Sequence, residues 1–337
     1  MTDMLTRDLA PGLAASAVGL GTWAIGGWMW GGTDDAAAED AIRAGLDAGI
    51  TLFDTAPAYG LGHAEEVLGR AIRGRRDQVV LVTKCGLVWH TQRGPYFFDQ
   101  GGLPVHRDLS PAAIRHEVEQ SLRRLNTDRI DLYITHWQDA TTPVAETVGA
   151  LQALRAEGKI LAFGASNTSP GDLEAYQAAG GIAAVQEEYS MLARRIADTH
   201  MPVCRKAGIA VMGYSVLALG LLSGRITADR VFAGDDQRRN DPRFAPETRA
   251  KVDRLMQVIR PVAEAHGASP AQVVIAWTLA QPGLTHALCG ARNPDQAREN
   301  AGAGRLRLSE TETAAIAEAV TRHLPPADRS EERRVGK

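Results

Sequence analysis

The segment TLFDTAPAYG (51–60) begins with a short apolar run and continues into a turn that contains proline and glycine. The same arrangement recurs in VVLVTK (79–84) and in IDLYITHW (130–137), whose apolar runs end in a lysine and in a histidine followed by tryptophan. Short runs that are apolar on both faces are typical of strands in a parallel sheet covered by helices. These segments therefore predict consecutive β-strands with polar side chains at their carboxyl ends.

Strand-like and helix-like patterns alternate along the whole chain. The candidate strands lie at residues 17–23, 51–56, 79–84, 130–136, 160–166, 183–189, 210–216 and 286–291. Helical patterns lie between them at 34–49, 110–126, 144–159 and 169–180. No linker rich in proline, glycine or serine divides these units, and α/β barrels of this length form one domain. We therefore predict an α/β fold, a single-domain (β/α)8 TIM barrel over residues 1–328.

Three segments depart from eight even units. The stretches 85–109 and 220–244 are long for barrel loops, and long loops at the carboxyl ends of barrel strands are where sites are built, although surface insertion is the alternative. The last residues, RSEERRVGK (329–337), are charged and aperiodic and read like the translation of a sequencing adapter. We predict a disordered, non-native tail there.

Composition excludes several function classes. A net charge of −3 gives no electrostatic case for nucleic acid or an anionic membrane, and no apolar run approaches the roughly 20 residues that span a bilayer. The chain starts with acidic residues and lacks the apolar region of a secretory signal. Its three cysteines, Cys85, Cys204 and Cys289, have no metal-ligand spacing. We predict a cytoplasmic protein with reduced thiols and no metal.

Asp54, Tyr59, Lys84 and His136 lie at or just after the ends of the first strands quoted above. A carboxylate, a phenol, an ammonium and an imidazole at one end of successive strands suit proton donation to a carbonyl. We expect the lysine charge to lower the pKa of the tyrosine, the aspartate to hold the lysine, and the imidazole to orient the substrate. Each residue alone could instead be a cap, a loop aromatic or a structural histidine, but their joint placement favours catalysis.

The chain resembles the aldo-keto reductase superfamily across residues 13–325. The motifs that carry the resemblance are VGLGTWAIGG (18–27), FDTAPAYG (53–60), TK (83–84), DLYITHW (131–137), FGASN (163–167), QEEYSML (186–192), GYSVLALGLLSGR (213–225) and GARNPDQARENAG (290–302). It implies an oxidoreductase that reduces carbonyls with NAD(P)H on a TIM barrel without a Rossmann domain. Within the superfamily, the tryptophan-rich GTWAIGGWMWGG (21–32) is similar to the bacterial branch of general-stress reductases and glycerol or glyceraldehyde oxidoreductases.

The resemblance also implies roles for individual residues. The tetrad is Asp54, Tyr59, Lys84 and His136, with Tyr59 as proton donor. The implied cofactor contacts are Thr22, Trp23, Asp54, Ser166, Asn167, Gln186 and Tyr214, then Ser215, Leu217, Gly220, Leu222 and Arg225 along the pyrophosphate, and Gly290, Arg292, Gln296, Glu299 and Asn300 at the adenosine end.

Arg292 bears on the choice of cofactor. Its planar guanidinium suits a phosphate, and the following helix N-terminus favours the same anion, so we predict NADPH and regard NADH as the less favoured cofactor. An exposed arginine that only aids solubility is the alternative.

Tryptophans cluster near the predicted mouth of the barrel. We predict a substrate pocket walled by Trp28, Trp30, Trp89 and Trp137 and completed by Tyr59 and His136, with core packing as the alternative for the tryptophans.

Two other functions are open at this point. Potassium-channel β subunits share the barrel and cofactor site and serve as regulatory binding proteins, but an asparagine replaces the tetrad histidine in them, and this chain has His136. A TIM-barrel hydrolase would need paired carboxylates, whereas the adjacent Glu187 and Glu188 would point to opposite faces of a strand. The expected partner is a small carbonyl compound. The natural substrate, the direction of the reaction and the oligomeric state, a monomer included, are not determined by the sequence.

Overall fold

A computed structural model describes residues 3–227 and 229–325. Its central feature is a closed barrel of eight parallel strands, which confirms the predicted TIM barrel. We number the barrel strands β1 (Val18–Gly21), β2 (Leu52–Asp54), β3 (Val80–Cys85), β4 (Ile130–Thr135), β5 (Ile160–Ser166), β6 (Ala184–Glu188), β7 (Ala210–Tyr214) and β8 (His286–Gly290). The predicted tail, residues 329–337, lies outside the described part of the chain.

Helices cover the outside of this barrel. They are α1 (Asp35–Asp47), α2 (His63–Ala71), α3 (Pro111–Leu125), α4 (Val144–Ala156), α5 (Pro170–Ala178), α6 (Ile196–Ala207), α7 (Pro246–Ala265), α8 (Pro270–Leu279), α9 (Pro294–Ala303) and α10 (Glu310–His323). Several begin as their sequences predict. Ser110 accepts a hydrogen bond from the backbone N–H of Ala113 at the start of α3, and Ser169 forms a capping box with Asp172 at the start of α5.

The barrel closes by pairing its first and last strands. Ala287 to Gly290 of β8 lie opposite Val18 to Gly21 of β1 in parallel register. Apolar side chains fill the interior at the amino ends of the strands, and the buried Leu52, Leu132 and Met212 belong to that cluster. The carboxyl ends are left for polar groups, so the site is confined to one end of the barrel.

Two small sheets lie outside the barrel, and the sequence patterns did not predict either. An antiparallel hairpin of Thr6–Ala10 and Leu13–Ser16 packs Leu9 and Ala15 against the barrel interior. The predicted loop 85–109 instead contains the strands Leu87–Val88, Tyr96–Gln100 and Leu103–Arg107, which form a three-stranded sheet. Of the helices in residues 3–227 and 229–325, none is both long and apolar enough to cross a membrane.

Candidate active site

Asp54 and Lys84 form a buried ion pair at the carboxyl ends of β2 and β3. The Lys84 Nζ atom lies 2.8 Å from Asp54 Oδ1 and 2.7 Å from Oδ2, and it also donates to the carbonyl oxygen of Thr55 at 2.8 Å. Gln186 on β6 donates to Asp54 Oδ1 at 2.7 Å. Burial lowers the pKa of Lys84, and the Asp54 charge opposes that shift. The carboxylate thus holds the ammonium in place and keeps it charged.

Tyr59 lies in the turn between β2 and α2, against this pair. The Lys84 ammonium lies 4.9 Å from the centre of the Tyr59 ring. Burial, followed by the charge of Asp54, raises the pKa of Tyr59 well above its ordinary value. Our prediction that Lys84 lowers this pKa is therefore wrong for the protein alone, because burial and the Asp54 charge both favour the neutral phenol. The phenol keeps its proton throughout the neutral pH range.

His136 follows β4 directly and faces Tyr59. The two rings are 5.7 Å apart and nearly perpendicular. Burial, and then the neighbouring Lys84 charge, lowers the pKa of His136 well below its ordinary value, so the imidazole is neutral. Its Nδ1 atom is buried and has no hydrogen-bond partner within the described residues. The structure therefore brings the four predicted tetrad residues together around one point.

A hydrogen-bonded wall stands beside the tetrad, built from the ends of β5, β6 and β7. Asn167 donates to the His136 carbonyl oxygen at 2.8 Å and accepts from the Tyr214 hydroxyl at 2.7 Å. Ser166 donates to the Gln186 carbonyl oxygen at 2.6 Å. These side chains present amide and hydroxyl groups next to the aromatic face of Tyr214.

A cavity of about 670 Å³ runs from the tetrad across the ends of the strands. The predicted residues on its wall are Trp23, Trp30, Asp54, Tyr59, His136, Trp137, Ser166, Asn167, Gln186, Tyr214, Ser215, Leu217, Gly220, Arg225, Gly290, Arg292, Gln296, Glu299 and Asn300. Most of the predicted cofactor contacts thus share one cavity with the tetrad.

Five predicted residues are not on this wall. Lys84 lies behind Asp54 and is fully buried, as a charge-holding residue would be. Thr22 and Leu222 are buried in the structure that supports the wall. Trp28 stacks on Phe98 with ring centres 5.1 Å apart, and Trp89 packs against the small apolar cluster under the three-stranded sheet.

Strained backbone marks the same cavity. Asn167, Ser215, Ala218 and Leu219 have positive φ angles of 55°, 56°, 47° and 56°. Such angles are uncommon for residues other than glycine, and they concentrate at functional sites because surrounding structure must enforce them. All but Ala218 line the cavity.

The end of the cavity that was predicted to hold the adenosine is built on β8 and α9. The Arg292 guanidinium donates to the carbonyl oxygens of Trp30 at 3.1 Å and of Gly32 at 2.8 Å. Asn300 donates to the Gly290 carbonyl oxygen at 3.1 Å. Arg225 pairs with Glu299 at 2.9 Å across the same end. Arg292 therefore ties the first loop of the barrel to its last strand, which its sequence position did not indicate.

The long segment after β7 closes over the cavity from one side. Asp235 accepts hydrogen bonds from the backbone N–H groups of Met29 at 3.3 Å and Gly31 at 3.0 Å. Arg238 from this segment lies over the rings of Trp30 and Phe232 at 5.2 and 4.4 Å. Sequence reasoning missed Phe232 and Arg238 as wall residues, and its only signal was the unusual length of 220–244.

The cavity fits the nicotinamide dinucleotide that the resemblance implies. A Cβ atom added at Gly21 would meet nothing within 4 Å, so this backbone borders open space that a flat ring could approach. Ser166, Asn167 and Gln186 offer amide and hydroxyl groups to a carboxamide, and Tyr214 offers an aromatic face. Arg225 and Arg292 supply positive charge at the far end. The buried His136 Nδ1 and Trp30 Nε1 atoms have no partner among the described residues and could receive one from a ligand.

Comparison with known proteins agrees with this geometry. The sequence profile of the Aldo/keto reductase family matches residues 17–321. The chain is 41% identical over 288 residues to the aldo-keto reductase YhdN of Bacillus subtilis, covering 85% of this chain and 84% of that protein. It is 40% identical over 312 residues to the NADH-specific methylglyoxal reductase of Escherichia coli, covering 91% and 95% of the two chains.

A solved structure gives the same result for the fold. The glycerol dehydrogenase AKR11B4 from Gluconobacter oxydans superposes with a TM-score of 0.86 at 39% identity, covering 96% of this chain and 98% of that one. With a matched barrel, a matched profile and relatives that span nearly the whole chain, this protein belongs to the aldo/keto reductase family of NAD(P)H-dependent carbonyl-reducing oxidoreductases.

Proposed function

We propose that this protein reduces small aldehydes and ketones to alcohols with NADPH, and that Tyr59 is the general acid. One observation carries the proposal. Tyr59 is a protonated phenol at the deep end of the cavity, with a neutral imidazole facing it and a charged ammonium behind its ring. A proton donor and a group that stabilises its conjugate base are thus aimed at one point.

The four tetrad residues divide the proton chemistry among them. The nicotinamide cofactor, when bound, supplies the hydride. Tyr59 donates its proton to the carbonyl oxygen as negative charge develops there, and neutral His136 donates an N–H hydrogen bond that orients the same oxygen. Lys84 stabilises the phenolate that remains. Asp54 holds the ammonium 2.7 Å from its carboxylate and so keeps it charged.

The proposed preference for NADPH rests on Arg292. Its bonds to Trp30 and Gly32 use two of its N–H groups, and a guanidinium has further donors that a 2′-phosphate could accept from. The Escherichia coli relative is named as NADH-specific, so measuring kcat/KM with both cofactors is the direct test. We expect the higher value with NADPH.

The proposed substrates are small or planar carbonyl compounds. Trp30 and Trp137 are large aromatic side chains on the same cavity wall as Tyr59, and such walls favour small or planar substrates over bulky ketones. The names of two relatives, a methylglyoxal reductase and a glycerol dehydrogenase, refer to small molecules. We further propose that the enzyme works in the cytoplasm, where NADPH is available, without a nucleic-acid or membrane partner.

The first experiment replaces Tyr59 by phenylalanine. Loss of the proton donor should lower kcat for aldehyde reduction on the order of 10²–10⁴-fold, because that is the usual contribution of general acid catalysis. NADPH affinity, followed by fluorescence titration, should change little. Tyr189→Phe is the control, because Tyr189 is a buried tyrosine that lies off the cavity wall.

The substrate panel should include glyceraldehyde, methylglyoxal, 4-nitrobenzaldehyde, pyridoxal and an inosose. A Tyr59→Phe enzyme that turns these over at the wild-type rate would remove Tyr59 from the role of acid. A wild-type protein that binds NADPH tightly but reduces none of them would favour the regulatory function known from channel β subunits.

A further inference from the structure

A second buried ion pair lies outside the cavity, between α2, α3 and the outer face of β3. Glu65 on α2 is fully buried, and its Oε2 atom accepts from Arg124 Nε at 2.6 Å. Its Oε1 atom accepts from the Thr83 hydroxyl, also at 2.6 Å. The mechanism proposed above does not use this pair. Removing a carboxylate from water costs free energy, so a buried glutamate outside the catalytic cavity indicates a structural or functional role of its own.

Thr83 connects this pair to the ammonium of the tetrad. Thr83 and Lys84 are neighbours on β3, and successive side chains of a strand point to opposite faces. Lys84 therefore points into the barrel toward Asp54, while Thr83 points out toward Glu65. Any displacement of α2 along β3 that changes the Glu65–Thr83 bond also changes the environment of the next residue.

Glu65 connects the same pair to the catalytic phenol. It lies in the first turn of α2, which begins at His63, four residues after Tyr59. The backbone N–H of Ala64 donates to the Tyr59 carbonyl oxygen at 3.1 Å, so that turn and the first turn of the helix share a hydrogen bond. The position of Tyr59 therefore depends on where the start of α2 is held.

Close packing between α2 and α3 prevents these two helices from sliding past each other. A Cβ atom at Gly69 would lie 2.8 Å from the carbonyl oxygens of Arg124 and Leu125, and one at Gly62 would lie 2.6 Å from the Arg124 side chain. Helix α2 thus touches α3 backbone to backbone. Glu65 binds the Thr83 hydroxyl within β3, and Glu117 on α3 accepts from the Gly86 N–H directly after it at 2.6 Å, so the two helices hold β3 through side-chain hydrogen bonds.

We propose that Glu65 is a positioning residue, which, bonded to Thr83 and Arg124, sets the placement of the Tyr59 phenol relative to the Lys84 ammonium. This inference rests on the proposed function of Tyr59 and Lys84. It adds a carboxylate that never touches the substrate but on which proton transfer depends. Catalytic groups must be placed to within a fraction of an ångström. Loss of the Glu65–Thr83 hydrogen bond should therefore lower kcat rather than the affinity for substrate or NADPH.

The deciding variant is Thr83→Val, which keeps the shape of the side chain and removes the hydroxyl. A misplacement of about 1 Å can cost ~10²-fold in rate, so we expect kcat for aldehyde reduction to fall about tenfold or more. KM and NADPH affinity should stay within about twofold, since no wall residue changes. Thr83→Ser restores the hydroxyl and should recover most of the wild-type kcat.

Thr278→Val is the matched control. Thr278 is equally buried, and its hydroxyl donates to the Val274 carbonyl oxygen at 2.8 Å within α8, so the same substitution removes one buried hydrogen bond without touching α2 or β3. Its kcat should equal that of the wild type. If Thr83→Val and Thr278→Val lowered kcat equally, or if neither did, the proposal would be overturned.

Glu65→Gln gives a second readout in the pH profile. The charged and titratable groups around Glu65 are Arg124 and Glu117 on α3, Lys84 on β3 and Tyr133 on β4. Removing the Glu65 charge leaves Arg124 unbalanced and withdraws support from the Lys84 ammonium, which then loses its proton at lower pH. The alkaline limb of kcat/KM should therefore move to lower pH, an effect that loss of packing alone would not produce.

Two outcomes separate this inference from the proposed function. If Tyr59→Phe is inactive while Thr83→Val and Glu65→Gln keep the wild-type kcat and pH profile, only the role of Glu65 fails. If Tyr59→Phe is fully active, the tetrad assignment itself fails. Should Glu65→Gln not fold, as judged by circular dichroism, the comparison of Thr83→Val with Thr83→Ser decides alone.

Discussion

Asp54 shows at the scale of one residue how a buried charge can be tolerated and used. Its carboxylate accepts from both Lys84 and Gln186, and these bonds compensate for its removal from water. Burial, followed by the Asp54 charge, raises the pKa of Tyr59, so the phenol remains protonated. The Tyr59 hydroxyl therefore already carries the proton that it would donate before any ligand binds.

Arg292 permits a prediction about cofactor choice. Replacing it with alanine should weaken NADPH binding more than NADH binding, because only NADPH carries a 2′-phosphate. Hydrogen bonds to charged groups contribute roughly 1.5–3 kcal/mol each, so the preference should shift by about tenfold or more. Fluorescence titration with both cofactors measures the difference.

The bonds of Arg292 to Trp30 and Gly32 define the competing outcome. If the guanidinium serves only to tie the first loop to β8, both cofactors should lose affinity equally. Arg298→Ala on the same helix is the control, since Arg298 is mostly exposed and pairs with Asp295. It should leave both affinities unchanged.

At the scale of an element, the two faces of β6 differ in role: one contributes to the catalytic cavity and the other to the packing outside the barrel. Gln186 points to the tetrad, whereas Glu187 is buried on the outer face, where it accepts from the Thr168 N–H at 2.8 Å and from the Thr168 hydroxyl at 2.6 Å. Burial raises the pKa of Glu187 from 4.5 to about 7. The folded protein therefore holds a proton that the unfolded chain releases between pH 4.5 and 7, and stability falls as the pH rises through that window.

Glu187→Gln should remove this dependence, because an amide resembles the protonated acid and keeps an acceptor for Thr168. At pH 8 the variant should be more stable than the wild type by about 1–3 kcal/mol. At pH 5 the difference should nearly vanish. Urea unfolding at both pH values measures it. Glu188→Gln, which removes a partly exposed carboxylate paired with Arg243, should show no gain at pH 8.

The three-stranded sheet after β3 permits a paired prediction on substrate range. Trp137 is on the cavity wall with Phe97 5.1 Å behind it, whereas Trp89 packs beneath the sheet and away from the wall. Trp137→Ala should raise KM for aryl aldehydes and admit bulkier ketones, since apolar contact contributes about 25 cal/mol per Å² of buried area. NADPH affinity should be kept.

Trp89 is half-buried, so Trp89→Ala should lower the free energy of unfolding by less than the roughly 3–5 kcal/mol of a fully buried tryptophan, and it should leave relative kcat/KM values across the substrates unchanged. This variant tests our prediction from the sequence that Trp89 lines the substrate pocket. A changed substrate profile in Trp89→Ala, with an unchanged one in Trp137→Ala, would reverse the two assignments.

For the whole molecule, the barrel was predictable because its signals are local and repeated. Each of the eight strands is a short apolar run with turn residues on both sides, and the tetrad residues lie at the strand ends where parallel topology must bring them together. Predicting that Asp54, Lys84 and His136 meet required no knowledge of the loop structures. Their meeting follows from the register of β2, β3 and β4.

The parts that were not predicted depend on contacts distant in sequence or on weak local signals. Gly101 and Gly102 between Gln100 and Leu103 are a hairpin signal that could have identified the sheet within 85–109. No local pattern indicates the left-handed backbone of Leu219. Nor could the sequence show that burial and the Asp54 charge would raise the pKa of Tyr59, because both depend on the folded structure.

The pairing of β8 with β1 has a consequence for how the protein is made. Val18 to Gly21 are synthesised about 270 residues before their partners on one side, Ala287 to Gly290. Translation adds on the order of 10 residues per second, so that edge of the nascent sheet stays open for roughly half a minute. Until then the catalytic groups lack a finished enclosure, and the unpaired edge of β1 is a template on which another chain could pair.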